Sequence, residues 1–184
     1  VDVGPGGRLI LTVGRQDNQK AHDALVRTFD RYAAAHPGDR LVIAGRSGTG
    51  TSALNQALQT MEHPDSVVVL GHRDDVPTLL AAADAVVCSS LREGAAGVLV
   101  EAMAVGTPVV SVPLDGLRGV LVDGQNARVA QLAKFPETLE ELFADPDATR
   151  RMTTAAQQEA DERFSVERSA DRLADIYRWA ADAT

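Results

Sequence analysis

Five short apolar runs constrain this chain more than any other feature: Leu9–Val13, Leu41–Ala44, Val67–Leu70, Ala85–Cys88 and Pro108–Val112. Each is four or five residues long, rich in Val, Ile and Leu, and lacks regular polar alternation. That is the pattern of strands covered on both faces. The segments between them, Ala21–Ala35, Ser52–Met61, Val76–Ala82 and Val98–Val105, have helical spacing. Repeated strand–helix order predicts a doubly wound α/β domain with a parallel sheet. Its ligands should bind at the carboxyl ends of the strands, on the loops Gly14–Lys20, Gly45–Thr51, Gly71–Asp75, Ser89–Gly97 and Pro113–Gly116. From Phe135 the pattern becomes helical only, with Pro136–Phe143, Pro146–Phe164 and Val166–Ala181 expected as helices. In the last of these Leu173, Ile176, Tyr177 and Ala180 form one apolar stripe. No linker or repeat interrupts the chain, so residues 1–184 read as one domain, with an α/β core over 1–134 and a helical tail over 135–184.

Size and composition agree with that reading. At roughly 150 residues per domain, 184 residues suit one compact unit. A chain 45% apolar and 24% charged is neither disordered nor fibrous. No apolar run approaches the ~20 residues that a bilayer span needs, so a soluble protein is expected. A lone cysteine, Cys88, excludes a disulfide framework and suits a reducing, cytoplasmic setting. The N-terminus has no initiator Met, the first being Met61, and no signal-peptide layout, so the sequence reads as a piece of a longer chain.

The net charge of −8 argues against nucleic acid and against an anionic membrane surface as partners. It is unevenly spread. Residues 1–92 carry 10 acids and 9 bases, whereas residues 93–184 carry 16 acids and 9 bases, so the first half can still host an anion. Of 18 basic residues only Lys20 and Lys134 are lysines, which hints that Lys20 is kept for its compact ammonium.

The segment EGAAGVLVEAMAVG, residues 93–106, carries the clearest chemical signal. Small residues Gly94–Gly97 lead into a helix, which lets a ligand approach the backbone and leaves first-turn amides open to an anion. Glu93 lies just outside that turn and Glu101 about one turn inside it. At 1.5 Å per residue their carboxylates would stand roughly 10 Å apart, the span of a diphosphate with a sugar at either side. The plain alternative is a surface loop acid and a solvated helix acid. The segment VGRQDNQK, residues 13–20, follows the first strand. Gly14 permits a turn, and Arg15 and Lys20 place two cations on the same rim, suited to a diphosphate. The plain alternative is two surface cations beside a helix start capped by Asp17 or Asn18.

Other candidates are weaker. GRSGTGTS, residues 45–52, imitates a P-loop, but Thr51 stands where lysine must reach phosphate. As a dinucleotide fingerprint it has Ala53 in the final position. It reads as a flexible glycine loop beside a nucleotide pocket at most. Asp145-Pro146-Asp147 reads as a helix start rather than a metal site. His22, His36 and His63 read as surface or loop residues, whereas His72 follows the third strand on the ligand side. No metal-ligand spacing is present. Ser89 and Ser90 lack the glycines of a nucleophile elbow, and at 4% aromatics the chain has no stacking platform for nucleic acid.

Taken together, VGRQDNQK, LVIAG (41–45), LGHRDDVPTLLAAADAVVCSS (70–90), EGAAGVLVEAMAVGTPVVS (93–111), GLRGVLVDGQN (116–126) and ERFSVERSADRLADIY (162–177) resemble the nucleotide-binding C-terminal domain of retaining glycosyltransferases with the GT-B fold, of the group 1 or family 4 type. E-x7-E, followed by A-M-A-x-G-T-P-V-V and combined with G-R…K, is the specific part of the likeness. The resemblance implies that Glu101 binds ribose hydroxyls, Glu93 the donor sugar, and the amides of Gly94, Ala95, Ala96, Gly97 and Val98 the sugar and diphosphate. Arg15 and Lys20 would stabilise the diphosphate leaving group. Gly14 lies in that same segment, and Gly45, His72 and Arg73 fall where the family lines the base. Transfer would retain anomeric configuration by front-face attack, without metal or cofactor, from a nucleotide sugar, UDP by default. Ala95 and Ala96 depart from the family's commoner aromatic-Gly pair, Gly119 stands where an acid is common and Ala127 where Gly is common.

The resemblance also implies a partner that these residues lack, an N-terminal acceptor domain. The chain is therefore expected to bind nucleotide but not to transfer sugar. Val166–Ala181 would pack toward that domain, and its stripe could make the chain dimeric. A membrane-peripheral whole enzyme remains compatible with the likeness. The competing readings are a sugar-nucleotide epimerase, a phosphorylase, for which only two lysines are available to hold pyridoxal, and a non-catalytic nucleotide-binding or regulatory module.

Overall fold

A computed structural model describes residues 3–182 except Pro5 and Ala95. Six parallel strands, β1 (Leu9–Val13), β2 (Arg40–Ala44), β3 (Val67–Gly71), β4 (Ala85–Cys88), β5 (Val109–Ser111) and β6 (Arg128–Val129), form one sheet in the order β3-β2-β1-β4-β5-β6. The helices are α1 (His22–Ala33), α2 (Thr51–Gln59), α3 (Val76–Ala82), α4 (Gly97–Val105), α5 (Phe135–Ala144), α6 (Pro146–Phe164) and α7 (Val166–Asp182). The chain reverses its direction of travel across the sheet between β1 and β4, which is the switch point at which an α/β sheet opens a crevice.

Each central strand divides its side chains between two cores. Ile10, Leu41, Ile43, Ala85 and Val87 face α1, α2 and α5, whereas Leu11, Val42, Ala44 and Val86 face α3, α4 and α6. Both sets are buried, which is why the runs show no polar alternation. β3 is the exception. It forms one edge, is only half-buried, and leaves Val69 40% exposed, so its apolar run overstated its burial. β6 was not foreseen, because two residues, Arg128 and Val129, carry no periodicity to read.

Asp145 caps α6 by accepting from the Ala148 amide at 2.9 Å with Pro146 in the first turn, as expected of the Asp-Pro-Asp segment. In α7 the side chains of Leu173, Ile176 and Tyr177 stand exposed together with Val166 and Trp179. No described helix is long and apolar enough to cross a membrane.

The 45–52 segment is clamped rather than flexible, which corrects the expectation from its glycines. The Gly14 amide donates to the Ala44 carbonyl at 2.9 Å, the Gln16 amide to Arg46 O at 3.0 Å, and the Gly50 amide to Gln16 O at 2.7 Å. A Cβ on Gly45 would collide with the Gly14 carbonyl, and one on Gly50 would stand 2.8 Å from the Asp17 carbonyl carbon. Glycine serves close backbone approach here. Gly45→Ala is expected to cost about 3 kcal/mol, because the obstacle is main chain that no rotamer change can move; urea unfolding of the variant measures it.

Candidate functional site

The two loops that meet at the switch point are sewn together. After β1 the chain makes a 3-10 turn, Asn18–Lys20, then passes through Ala21 into α1. After β4 it runs through Ser89–Gly94 toward α4. Ser89 Oγ donates to the Lys20 carbonyl at 2.8 Å and the Leu91 amide to Gln19 O at 2.8 Å. Gln19 Nε2 donates to Arg92 O at 2.6 Å, and Lys20 Nζ meets Glu93 Oε1 at 2.5 Å. The Lys20 and Glu93 side chains are 23% and 11% exposed, so this ion pair is partly withdrawn from water. Lys20 lies across Gly14, where a Cβ would stand 3.1 Å from its Cε. A third loop backs the seam, since a Cβ on Gly116 would strike the carbonyl oxygens of Glu93 and Gly94.

The seam leads into the N-terminus of α4. Ala96 precedes it with φ 40°, no side chain caps it, and its first turn holds no acid. The positive end of the helix is thus available to an anion near Gly94, Gly97 and Val98. Ala95 lies outside the described residues. Glu101, one turn in, is exposed, and its Oε1 comes within 3.9 Å of where a Gly97 Cβ would sit, so the carboxylate turns back toward the same terminus.

On the other side of β1 a cleft of about 410 Å³ opens over the ends of β2 and β3. Val13, Gly14, Arg15, Ala44, Gly45, Arg46, His72, Arg73 and Val76 line it. The structure therefore brings together Gly14, Arg15, Gly45, His72 and Arg73, with Lys20 and Glu93 adjoining through Gly14. It does not put Glu101 in that cleft; Glu101 lines a separate hollow of about 300 Å³ between α4 and α6.

Arg15 and Lys20 are both engaged in ion pairs. Arg15 Nε binds Asp17 Oδ2 at 2.5 Å, and Asp17 does not cap a helix with its side chain. Its Oδ1 instead accepts from the Thr49 amide at 3.0 Å, and this bond first, then Arg15, holds the Asp17 carboxyl below the usual range. Arg73 makes two bonds to Asp75, at 2.8 and 2.5 Å, which lower the Asp75 pKa and raise that of Arg73. His72 Nε2 lies 3.2 Å from Asp74 Oδ1.

His22 corrects another expectation. It is buried at 4% exposure, and its Nδ1 has no hydrogen-bond partner among the described residues. Burial, then the nearby Lys20 charge, pushes its pKa down to about 4. The signal was in the sequence: His22, Leu25, Val26 and Phe29 occupy i, i+3, i+4 and i+7 on the buried face of α1. Gln19, Ser89 and Gly116 were missed for a different reason, since their roles arise from contacts between distant loops.

The family model described as "Glycosyl transferases group 1" matches residues 7–145. The glycogen synthase of Mycobacterium tuberculosis (strain H37Rv) is 31% identical over 174 residues, covering 91% of this chain and 42% of that protein. The crystal structure of Anabaena Alr3699/HepE in complex with UDP and glucose superposes with a TM-score of 0.86 at 23% identity, over 94% of this chain and 48% of that one. The C-terminal domain of a group 1 family glycosyl transferase (LpcC) from Francisella tularensis gives 0.77 at 18% identity, covering 86% of this chain and 87% of that domain. The chain spans about half the length of the curated relatives it matches.

Two stability predictions follow from the site's geometry. Ala21 holds φ 51°, a left-handed conformation that costs an L-residue about 1–2 kcal/mol. Ala21→Gly should therefore raise the urea midpoint by the equivalent of about 1 kcal/mol. His22 is neutral in the fold, with its pKa lowered from 6.5 to about 4. The unfolded chain takes up its proton first, so this contribution is whole above pH 6.5 and declines toward pH 4. The loss approaches about 3 kcal/mol. Urea midpoints between pH 7.5 and 4.5 should fall less steeply in His22→Leu.

Proposed function

Because the chain belongs to the group 1 glycosyltransferase family, we propose that it is the donor-binding half of a retaining glycosyltransferase that takes a nucleoside diphosphate sugar of UDP type and delivers a hexosyl group to an acceptor held by another domain. One observation carries the reading. The seam between the β1 and β4 loops sets Gly14, Lys20, Glu93 and the uncapped start of α4 around one point, with the nucleoside-sized cleft alongside. An anion there meets the helix terminus and a lysine at once.

In this proposal the diphosphate lies across the start of α4, contacting the amides of Gly94–Val98. Lys20 exchanges part of its bond with Glu93 for the phosphates, and Arg15 reaches them from the cleft. Both then stabilise the charge that develops as the sugar–phosphate bond breaks, with no metal taking part. Glu93, released from Lys20 and held near the anomeric end, hydrogen-bonds the sugar. Glu101 faces the ribose from the second turn, and Gly45, His72 and Arg73 border the base. The acceptor attacks from the face that the diphosphate leaves, which retains configuration. The exposed stripe Leu173, Ile176 and Tyr177 on α7 is assigned to the acceptor domain.

Calorimetric titration with UDP, GDP and ADP tests this. Arg15→Ala and Glu101→Ala should each weaken nucleotide binding about tenfold or more, the loss of one charge-assisted hydrogen bond. Binding unaltered by both would show the site to be misplaced. Transfer of sugar by these residues alone, without an acceptor domain, would overturn the assignment as a donor-binding half.

A further inference from the structure

The cleft beside β1 looks strongly cationic, yet nearly all of its positive charge is already matched. Arg15 is paired with Asp17 and Arg73 with Asp75, His72 lies against Asp74, and Lys20 at the seam is paired with Glu93. Arg46 is different. It stands exposed on the cleft wall two residues past the end of β2, and none of the ion pairs among the described residues involves its guanidinium. The uncompensated positive field of the cleft, and its unengaged donors, are therefore those of Arg46.

The order of the strands decides what Arg46 can touch. Lys20, Glu93 and the start of α4 mark the anion-binding end, where the β1 and β4 loops meet. The cleft lies on the opposite side of β1, over β2 and β3. Strands about 4.8 Å apart put β3 roughly 14 Å from β4. A nucleoside diphosphate whose phosphates occupy the α4 terminus accordingly carries its nucleoside into the cleft. There Val13, Ala44 and Val76 offer apolar surface to a ring. Arg46 offers a planar fork of donors and no acceptor. Such a group satisfies a ring carbonyl and is opposed by a ring amino group, because two donors cannot pair.

Resting on the donor-site reading above, we propose that Arg46 reads the base, donating to the carbonyl at position 4 of uracil or position 6 of guanine and disfavouring cytosine and adenine, which carry amino groups there. Arg46 thus sets donor specificity, while the seam holds the phosphates.

The test is calorimetric titration of the chain, and of Arg46→Met, Arg46→Lys, Arg15→Ala and Glu101→Ala, with UDP, CDP, GDP and ADP. The side chain is exposed, so neither Arg46 change disturbs the core. The unaltered chain should bind UDP at least tenfold more tightly than CDP, and GDP at least tenfold more tightly than ADP. Arg46→Met should bring both ratios close to one, and Arg46→Lys, which keeps the charge but loses the fork, should narrow them. Ratios that Arg46→Met leaves unchanged, or a uniform weakening of all four nucleotides, would overturn the assignment of Arg46 alone. Failure of the unaltered chain to bind any of the four, or indifference to both Arg15→Ala and Glu101→Ala, would overturn the donor-site reading beneath it as well.

Discussion

The geometry of the candidate site depends on the stitching of the β1 loop to the β4 loop. Parallel strands are bonded along their lengths, but the loops beyond their carboxyl ends are held by no ladder. Here Ser89, Leu91, Gln19 and the Lys20–Glu93 pair supply the missing bonds across the switch point. Three of the four use a main-chain carbonyl, so the loops are fixed through their backbones as well as their side chains. Only the ion pair, among these four, joins two side chains. In the proposed donor site a phosphate at the α4 terminus would compete with Glu93 for Lys20 without loosening the other bonds, so that a ligand enters a preformed site.

The same economy governs the charges. A cleft lined by several bare arginines would repel itself and destabilise the folded state. Arg15, Arg73 and His72 each have a carboxylate within two residues in sequence, so pairing is local and needs no long-range packing. The exposed pairs contribute little to stability. Their effect is to hold side-chain orientations and to reduce the net field, leaving Arg46 the cleft arginine without an ion pair among the described residues.

How much of this the sequence revealed follows from the range of each interaction. Strands buried on both faces announce themselves as apolar runs, and the five runs correspond to β1–β5. A two-residue edge strand such as β6 has no pattern to detect. The candidate site residues stood out because small residues beside charged ones are a local signature. The state of Lys20 and Glu93 was not, because they are 73 residues apart and their pairing exists only after the sheet forms. Arg46 escaped notice for a related reason, since its lack of a partner becomes visible only when all the other cations of the cleft have been assigned theirs. His22 was misjudged by residue type, although its spacing placed it on the apolar face.

The amino ends of the strands, opposite the candidate site, show why that site can carry strain. There the Asp39 carboxylate accepts from the Arg8 amide at 2.8 Å and from the Tyr32 hydroxyl at 2.7 Å, and Asp84 accepts from the Leu9 amide at 2.7 Å. These bonds anchor the starts of β1 and β2 and the end of α1, away from the candidate site. At the carboxyl ends of the strands two alanines, Ala21 and Ala96, adopt left-handed conformations immediately before α1 and α4. Each conformation is uphill by about 1–2 kcal/mol. Each precedes a helix start that borders the seam. Backbone strain of this kind persists only where the surroundings overdetermine it. The seam from one side, and the buried faces of α1 and α4 from the other, provide that constraint. The local rules are thus broken at the two turns that aim Lys20 and the α4 terminus at the same point, and obeyed at the end of the strands that only has to hold.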